Sequence, residues 1–196
     1  MTRLPLRAAA VAAAGILTTT AAPSLAAGLS AATAPPPRCA SSALALSWAP
    51  GGTARPGGVP DEQVTARVAV ENVGSHSCTL RGYPGVTLKR SESVVSRERS
   101  RTHRQTRTQA RTQTETLRDQ LSVKPETVVL APHKSARFTL TFLSSRAHEE
   151  NVIDPREAVV TLPDTTGSHV LTWRWGPVLR QESATHPGNY VSPVRS

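Results

Sequence analysis

The chain has 196 residues, a formal net charge of +9, 38% hydrophobic residues, two cysteines and one methionine. After an N-terminal leader the remaining length fits one domain, and no later stretch approaches the ~20 apolar residues of a membrane-spanning helix. The six histidines show no His-x-His or His-x₃-His spacing and the cysteines form no Cys-x₂-Cys pair, so the sequence points to no metal and no cofactor.

Residues 1–26 read as a secretory signal. Arg3 and Arg7 give a basic start, Ala8 to Leu17 is apolar, and Ser24-Leu25-Ala26 places small residues where a signal peptidase reads. Cleavage is expected after Ala26, with Ala32-Thr33-Ala34 as a second site. Cys39 follows Pro35-Pro36-Pro37-Arg38 rather than a small apolar box, so no lipid anchor is expected. Residues 27–38, rich in Ala, Ser, Thr and Pro, make a flexible lead-in to a domain spanning 39–196. Two cysteines in an exported chain favour one disulfide, and a loop of some forty residues closed by it is worth about 4 kcal/mol on the chain-entropy estimate.

From Ala43 onward the chain alternates with period 2. Ala43 to Trp48 sets Leu44, Leu46 and Trp48 on one side, and the Gly/Pro-rich stretch from Pro50 to Pro60 is a loop. Val64 to Asn72 turns Val64, Ala66, Val68 and Val70 inward, with Thr65, Arg67 and Glu71 toward water. Short strands follow at Cys78-Thr79-Leu80 and Val86-Thr87-Leu88, separated by a Gly-Tyr-Pro-Gly turn. Thr127 to Leu130, Ala136 to Phe142, Ala158 to Pro163 and His169 to Trp175 continue the pattern, and Asn189 to Val194 supplies a final edge strand. One helical turn is expected within Ser145 to Asn151. Seven to nine short strands with turn signals between them give an all-β, antiparallel, immunoglobulin-like β-sandwich, with a closed barrel as the alternative. Its core is expected from Leu46, Trp48, Val68, Val70, Leu80, Val86, Leu88, Leu130, Phe138, Leu140 and Leu171.

The charge is concentrated. Residues 89–119 hold nine basic and four acidic side chains, a net of +5. The two leader arginines remove two more charges, so the rest of the chain carries only +2. The basic character belongs to an insertion at 89–120 rather than to a face of the fold. Its centre is an Arg-Thr-Gln tract with no apolar residue larger than Ala between Arg99 and Thr114, and disorder is expected there. Excising 92–118 should then leave thermal stability unchanged. The tract is either a solvated loop or a polyanion contact through Arg97, Arg99, Arg101, Arg104, Arg107 and Arg111, toward teichoic acid, anionic lipid head groups or extracellular DNA. No aromatic residue is interleaved, which argues against base stacking and sequence-specific nucleic-acid reading.

Beyond the tract, Tyr83 in its Gly-Tyr-Pro-Gly turn either presents a ring to a ligand or packs structurally. Trp173 and Trp175, two apart on one strand, make either a sugar-stacking platform or core. Glu149, Glu150 and Asp154 read as solvated acids beside Arg146 and Arg156. No nucleophile elbow, phosphate loop or His-Glu-x₂-His occurs, so no catalytic residue is assigned.

One ordered set of motifs is specific. A leading Cys39, a Val68-x-Val70-x-Asn72-x-Gly74 strand end, Cys78-Thr79-Leu80-Arg81-Gly82-Tyr83-Pro84-Gly85-Val86, and Leu130-Ala131-Pro132 before an Ala-initiated strand occur in that order. In this the chain resembles the actinobacterial secreted domain of unknown function 4232 family. The resemblance runs from Cys39 to about Val194. It implies a β-sandwich, an exported or cell-envelope location and a disulfide between Cys39 and Cys78, and it supplies no catalytic residues. The chain departs from that pattern in carrying His133 where glycine is usual, and in its long tract after Leu88. The expected function is an exported, non-enzymatic binding module at the cell envelope, toward an anionic wall polymer or another envelope protein; the alternative is a secreted hydrolase or hydrolase inhibitor.

Overall fold

The computed structural model describes residues 34–57, 62–99, 104–146, 151–181 and 187–196, with 93–99 and 104–109 as backbone only. The leader at 1–26 lies outside them. Among the described residues there are thirteen strands and a single 3₁₀ turn at Ser41–Ala43, with no α-helix and so none long and apolar enough to cross a membrane. The expected helical turn falls largely on 147–150, outside the description.

The two strongest alternations in the sequence pair with each other. Strand β2 (Gln63–Asn72) runs antiparallel to β8 (Ser135–Leu143), in register from Gln63↔Leu143 to Glu71↔Ser135. On the other side of β2 lies β1 (Leu44–Gly52), whose register shifts between Ala49 and Gly52. At that bulge Gly52 has φ 92°, and a Cβ there would stand 2.4 Å from the Thr65 carbonyl oxygen, so only glycine fits. The tail forms β13 (Tyr190–Val191), antiparallel to β8. Expected as an edge strand, it is interior, because β6 (Arg118–Asp119) pairs parallel to its far side. The sheet order is β1-β2-β8-β13-β6.

A second sheet has the order β11 (Ser168–Thr172), β10 (Glu157–Thr161), β4 (Gly85–Arg99), β5 (Arg104–Thr116). Two small ladders complete the structure: β3 (Cys78–Leu80) with β7 (Val128–Leu130), and β9 (Val152–Ile153) with β12 (Val178–Leu179). The pairings are antiparallel except β6 with β13 and an isolated Arg38–Thr79 bridge. Strands outnumber the expected seven to nine because several are two-residue pieces, too short to show a period.

The inward faces share one apolar cluster that includes Val64, Val68, Phe138, Leu140, Val86 and Val160. Each such side chain contributes about 1.5–3 kcal/mol on burial. Of the eleven expected core residues, Leu46 and Trp48 are partly buried against the cluster and the other nine are inside it. Leu162 and Val194 join them from segments read as strands, and Leu117, Ile153 and Val178 from segments with no legible alternation.

Cys39 and Cys78 are bonded, with an S–S distance of 2.06 Å and Cα atoms 4.8 Å apart. The lead-in is tied down at its end: the Thr79 amide donates to the Pro37 carbonyl (2.8 Å), the Cys39 amide to the Thr79 carbonyl (3.0 Å), and Arg38 pairs with Asp164.

The Arg-Thr-Gln tract corrects the expectation of disorder. Its described residues lie in a two-stranded β-ribbon paired from Thr87↔Thr116 to Arg99↔Arg104, and 100–103 fall outside the description. β4 pairs with β10 only over Gly85–Lys89; beyond that, β5 is its partner. Thr occupies alternate positions of β5 (106, 108, 112, 114, 116), and β-branched threonine suits an extended backbone. The register begins at Thr87↔Thr116, beside the buried Leu88 and Glu115, and continues outward without a shift.

Candidate functional site: an open cleft and a basic ribbon

Because Leu140 and Phe142 are buried, Thr141 between them turns to the outer face of the five-stranded sheet. The register sets Tyr190 beside Thr141 on one side and beside Arg118 on the other. This row floors an open cleft of about 910 Å³, with Gln63 at one end and the segment 117–122 as a wall. The wall is held firmly. The Tyr83 hydroxyl donates to the Val123 carbonyl (2.5 Å) and the Gln120 carbonyl (3.3 Å). The Gln120 amide bonds the Val191 carbonyl and the Arg118 amide bonds the Asn189 carbonyl. Tyr83 is thus a partly buried brace behind the wall, not a ring offered to a ligand.

Next to Tyr190 and the 117–122 wall in sequence lies a buried polar cluster. Glu115 accepts from the Gln181 amide (3.1 Å) and from Asn189 Nδ2 (2.9 Å), while Asn189 Nδ2 also donates to the Leu179 carbonyl and its Oδ1 accepts from the Leu143 amide. Sequence reading missed Gln63, Asp119, Gln120, Leu121, Thr141 and Tyr190, since the cleft arises only when the post-ribbon segment meets the C-terminal strand.

The two indoles, read as either a stacking platform or core, sit past the end of β11 and are core, with Trp173 6% and Trp175 7% exposed. Trp48 packs edge-on against both at 5.8 and 5.4 Å between centroids, Phe142 stands 4.9 Å from Trp173, and the Arg174 guanidinium covers the Trp175 ring. No ring face is left for a sugar.

At the ribbon's root, Arg90 is bonded by Glu92 and by Asp154 Oδ2 (2.5 Å), and Arg156 approaches the same Asp154 oxygen. The Glu92 hydrogen bond, more than the carboxylate charges, raises the Arg90 pKa further above its ordinary value. Asp154, expected as a solvated acid, is a half-buried bridge; Glu149 and Glu150 lie outside the described residues. Of the candidate polyanion contacts, Arg97, Arg99, Arg104 and Arg107 occupy ribbon strands and Arg111 is exposed opposite Glu92, while Arg101 lies outside the description.

The model of a domain of unknown function, DUF4232, matches residues 39–194. The chain belongs to that family. No curated protein matches it. Within this DUF4232 domain the matched span opens on the disulfide and closes on Val194, whose amide bonds the Gly82 carbonyl beside the Tyr83 turn.

Two arrangements bear on chemistry. Among the described residues no group of three or more His, Cys, Asp or Glu could hold a metal ion. Ser41 Oγ lies 3.1 Å from His169 Nε2, a nucleophile–base distance. No carboxylate bonds the other ring nitrogen among the described residues, so the pair ties the 3₁₀ turn to β11.

Proposed function

We propose that the protein is an exported, non-enzymatic binding module of the cell envelope, built as an immunoglobulin-like sandwich, whose ribbon engages anionic polymer. The observation that carries this reading is the ribbon itself. Residues 90–113 hold seven arginines against two glutamates, a net of +5 on a two-stranded arm that no third strand covers among the described residues. Ten residues from Arg90 to Arg99 at about 3.4 Å each carry that charge about 30 Å from the body. Its last described backbone pair joins Arg99 to Arg104. The disulfide supports the exported location, since such bonds persist in oxidising compartments. The sandwich reading is supported by the single apolar cluster shared between the sheets.

The test is retention on immobilised heparin. Residues 93–110 are replaced by Asn-Gly, joining Glu92 to Arg111 through a two-residue hairpin turn. The parent protein should elute at a higher salt concentration than this variant, because phosphate- and sulfate-type attraction falls with salt. Equal elution would remove the ribbon from the function.

A further inference from the structure

The outer-face cleft is separate from the ribbon and chemically unlike it. We propose that it is a saccharide-binding site, taking a few units of a neutral hexose or N-acetylhexosamine chain.

Unspent hydrogen-bonding groups point to this ligand. The side chains of Asp119, Gln120, Ser122 and Thr141 line the cleft and make no hydrogen bond or ion pair within the described structure. Gln63 spends its Nε2 on the Gly188 carbonyl (2.8 Å) and keeps Oε1 as an acceptor. Together they offer amide donors, amide and carboxylate acceptors, and hydroxyls that do both. A ligand that satisfies such a set must itself be dense in groups that donate and accept, as sugar hydroxyls are.

The apolar side of the cleft agrees. Tyr190 presents an aromatic body with a polar tip at the centre of the floor, suited to the carbon-bound hydrogens on one face of a pyranose. Leu121 is 79% exposed on a wall held by backbone bonds, the most exposed large apolar side chain among the described residues. A fixed, exposed leucine beside a tyrosine fits the methyl of an acetamido group or the second face of a ring.

Charge excludes the rival ligands. The lining has one cation, Arg118, and one anion, Asp119, next to each other, so neither a phosphorylated nor a sulfated chain gains net attraction there. A volume of about 910 Å³ lies within the range of small-molecule pockets, and an open mouth lets a chain continue past it.

The experiment is an amide-resolved NMR titration of the disulfide-bonded protein with β-1,4-linked tetramers of glucose and of N-acetylglucosamine. The expected result is saturable shifts at the amides of 117–123 and 188–191 with at least one tetramer. Tyr190→Ala and Leu121→Ser should each raise the dissociation constant about tenfold, roughly the loss of one aromatic or apolar contact. Gln120→Ala, a wall residue outside the core, should weaken binding with an unchanged melting temperature, and Tyr190→Phe should retain the ring contact and bind nearly as the parent does. The Asn-Gly ribbon replacement should bind the sugar unchanged, so failure of the polyanion reading leaves this one standing, and the converse also holds. Absence of shifts at those amides with both tetramers up to about 10 mM, where even weak binding of about 4 kcal/mol registers, would overturn the proposal. So would saturation of the same amides by an uncharged pentapeptide with neither sugar bound.

Discussion

Asn72 closes β2 with no solvent exposure, and its side-chain amide makes three hydrogen bonds. Nδ2 donates to the Leu130 carbonyl and to the His76 carbonyl, both at 2.9 Å, and Oδ1 accepts from the Gly74 amide at 3.0 Å. The residue therefore knots the end of β2, the 74–76 bend and β7 together. Asn72→Ala removes all three bonds and takes a donor from each of two carbonyls, a loss of about 2–4 kcal/mol. Asn72→Asp keeps the shape but aims a carboxylate at two carbonyl oxygens, a cost of about 3–5 kcal/mol at pH 7. The sign with pH follows. A carboxyl so placed has its folded pKa raised above the ordinary ~3.9. Its penalty is then small near pH 4, where the protonated acid donates to one carbonyl, and grows as pH rises. Denaturant unfolding of the oxidised protein, run at pH 4.5 and pH 7, measures both effects. An Asn72→Asp variant within about 1 kcal/mol of the parent at pH 7, or one whose deficit is the same at both pH values, would refute this account of the motif.

Cys39→Ser with Cys78→Ser should cost about 3–4 kcal/mol in the same unfolding assay, while native-state hydrogen exchange still finds the Thr79 and Cys39 amides protected by their backbone bonds; full exchange of both would show that the bridge alone holds the lead-in. His133 sits at φ 59° with an exposed side chain, so His133→Gly should raise stability by about 0.5–1 kcal/mol, the left-handed penalty less glycine's extra chain entropy, and a lower melting temperature would contradict it. Replacing 93–110 by Asn-Gly should change stability by under about 1 kcal/mol, whereas removing 92–118 also takes buried Glu115 and Leu117 and should lower the melting temperature by several degrees. A calorimetric scan of the two variants side by side separates a solvated arm from a packed one.

The strands with strict apolar alternation were legible. Val64 to Val70 and Ala136 to Phe142 are buried on the faces their spacing assigns, because a period of 2 on a half-buried sheet leaves one solution. The Asn-x-Gly strand end was visible as a motif, yet part of its reason, an amide that joins the local His76 carbonyl to the distant Leu130 carbonyl, is tertiary. The ribbon was missed because its period is carried by threonine against Gln and Arg, and a search for apolar alternation passes over a strand with two polar faces. Trp173 and Trp175 were legible only as an alternative, platform or core, and tertiary packing decides for core. Their spacing fits a strand, but β11 ends at Thr172 and the chain turns through Gly176, at φ 85°, folding both rings inward. The cleft had no local signal at all: Leu117 to Ser122 and Pro187 to Tyr190 are short polar segments that acquire a role only through parallel pairing across seventy residues.

The placement of the ribbon explains how the domain accommodates so basic an insertion. Every pair from Arg90↔Gln113 outward lies beyond the last pair between β4 and β10, and none of the arm's described side chains enters the core cluster. The junction is where the fold constrains it. Leu88, Glu115 and Leu117 are buried, the Leu117 amide bonds the Val86 carbonyl, and Arg90 is held between Glu92 and Asp154. Glu115 in turn fixes Gln181 and Asn189, the latter next to Tyr190 in sequence. Changes between Ser93 and Ala110 should therefore leave stability nearly untouched, while changes at Arg90, Glu115 or Leu117 should act on stability directly. Arg90→Ala distinguishes the two regimes: it removes one positive charge from the arm, a small loss for heparin, but leaves Asp154 with Arg156 alone and should cost about 1 kcal/mol in unfolding. A variant that elutes much earlier from heparin with unchanged stability would place Arg90 among the arm's contacts rather than at its root.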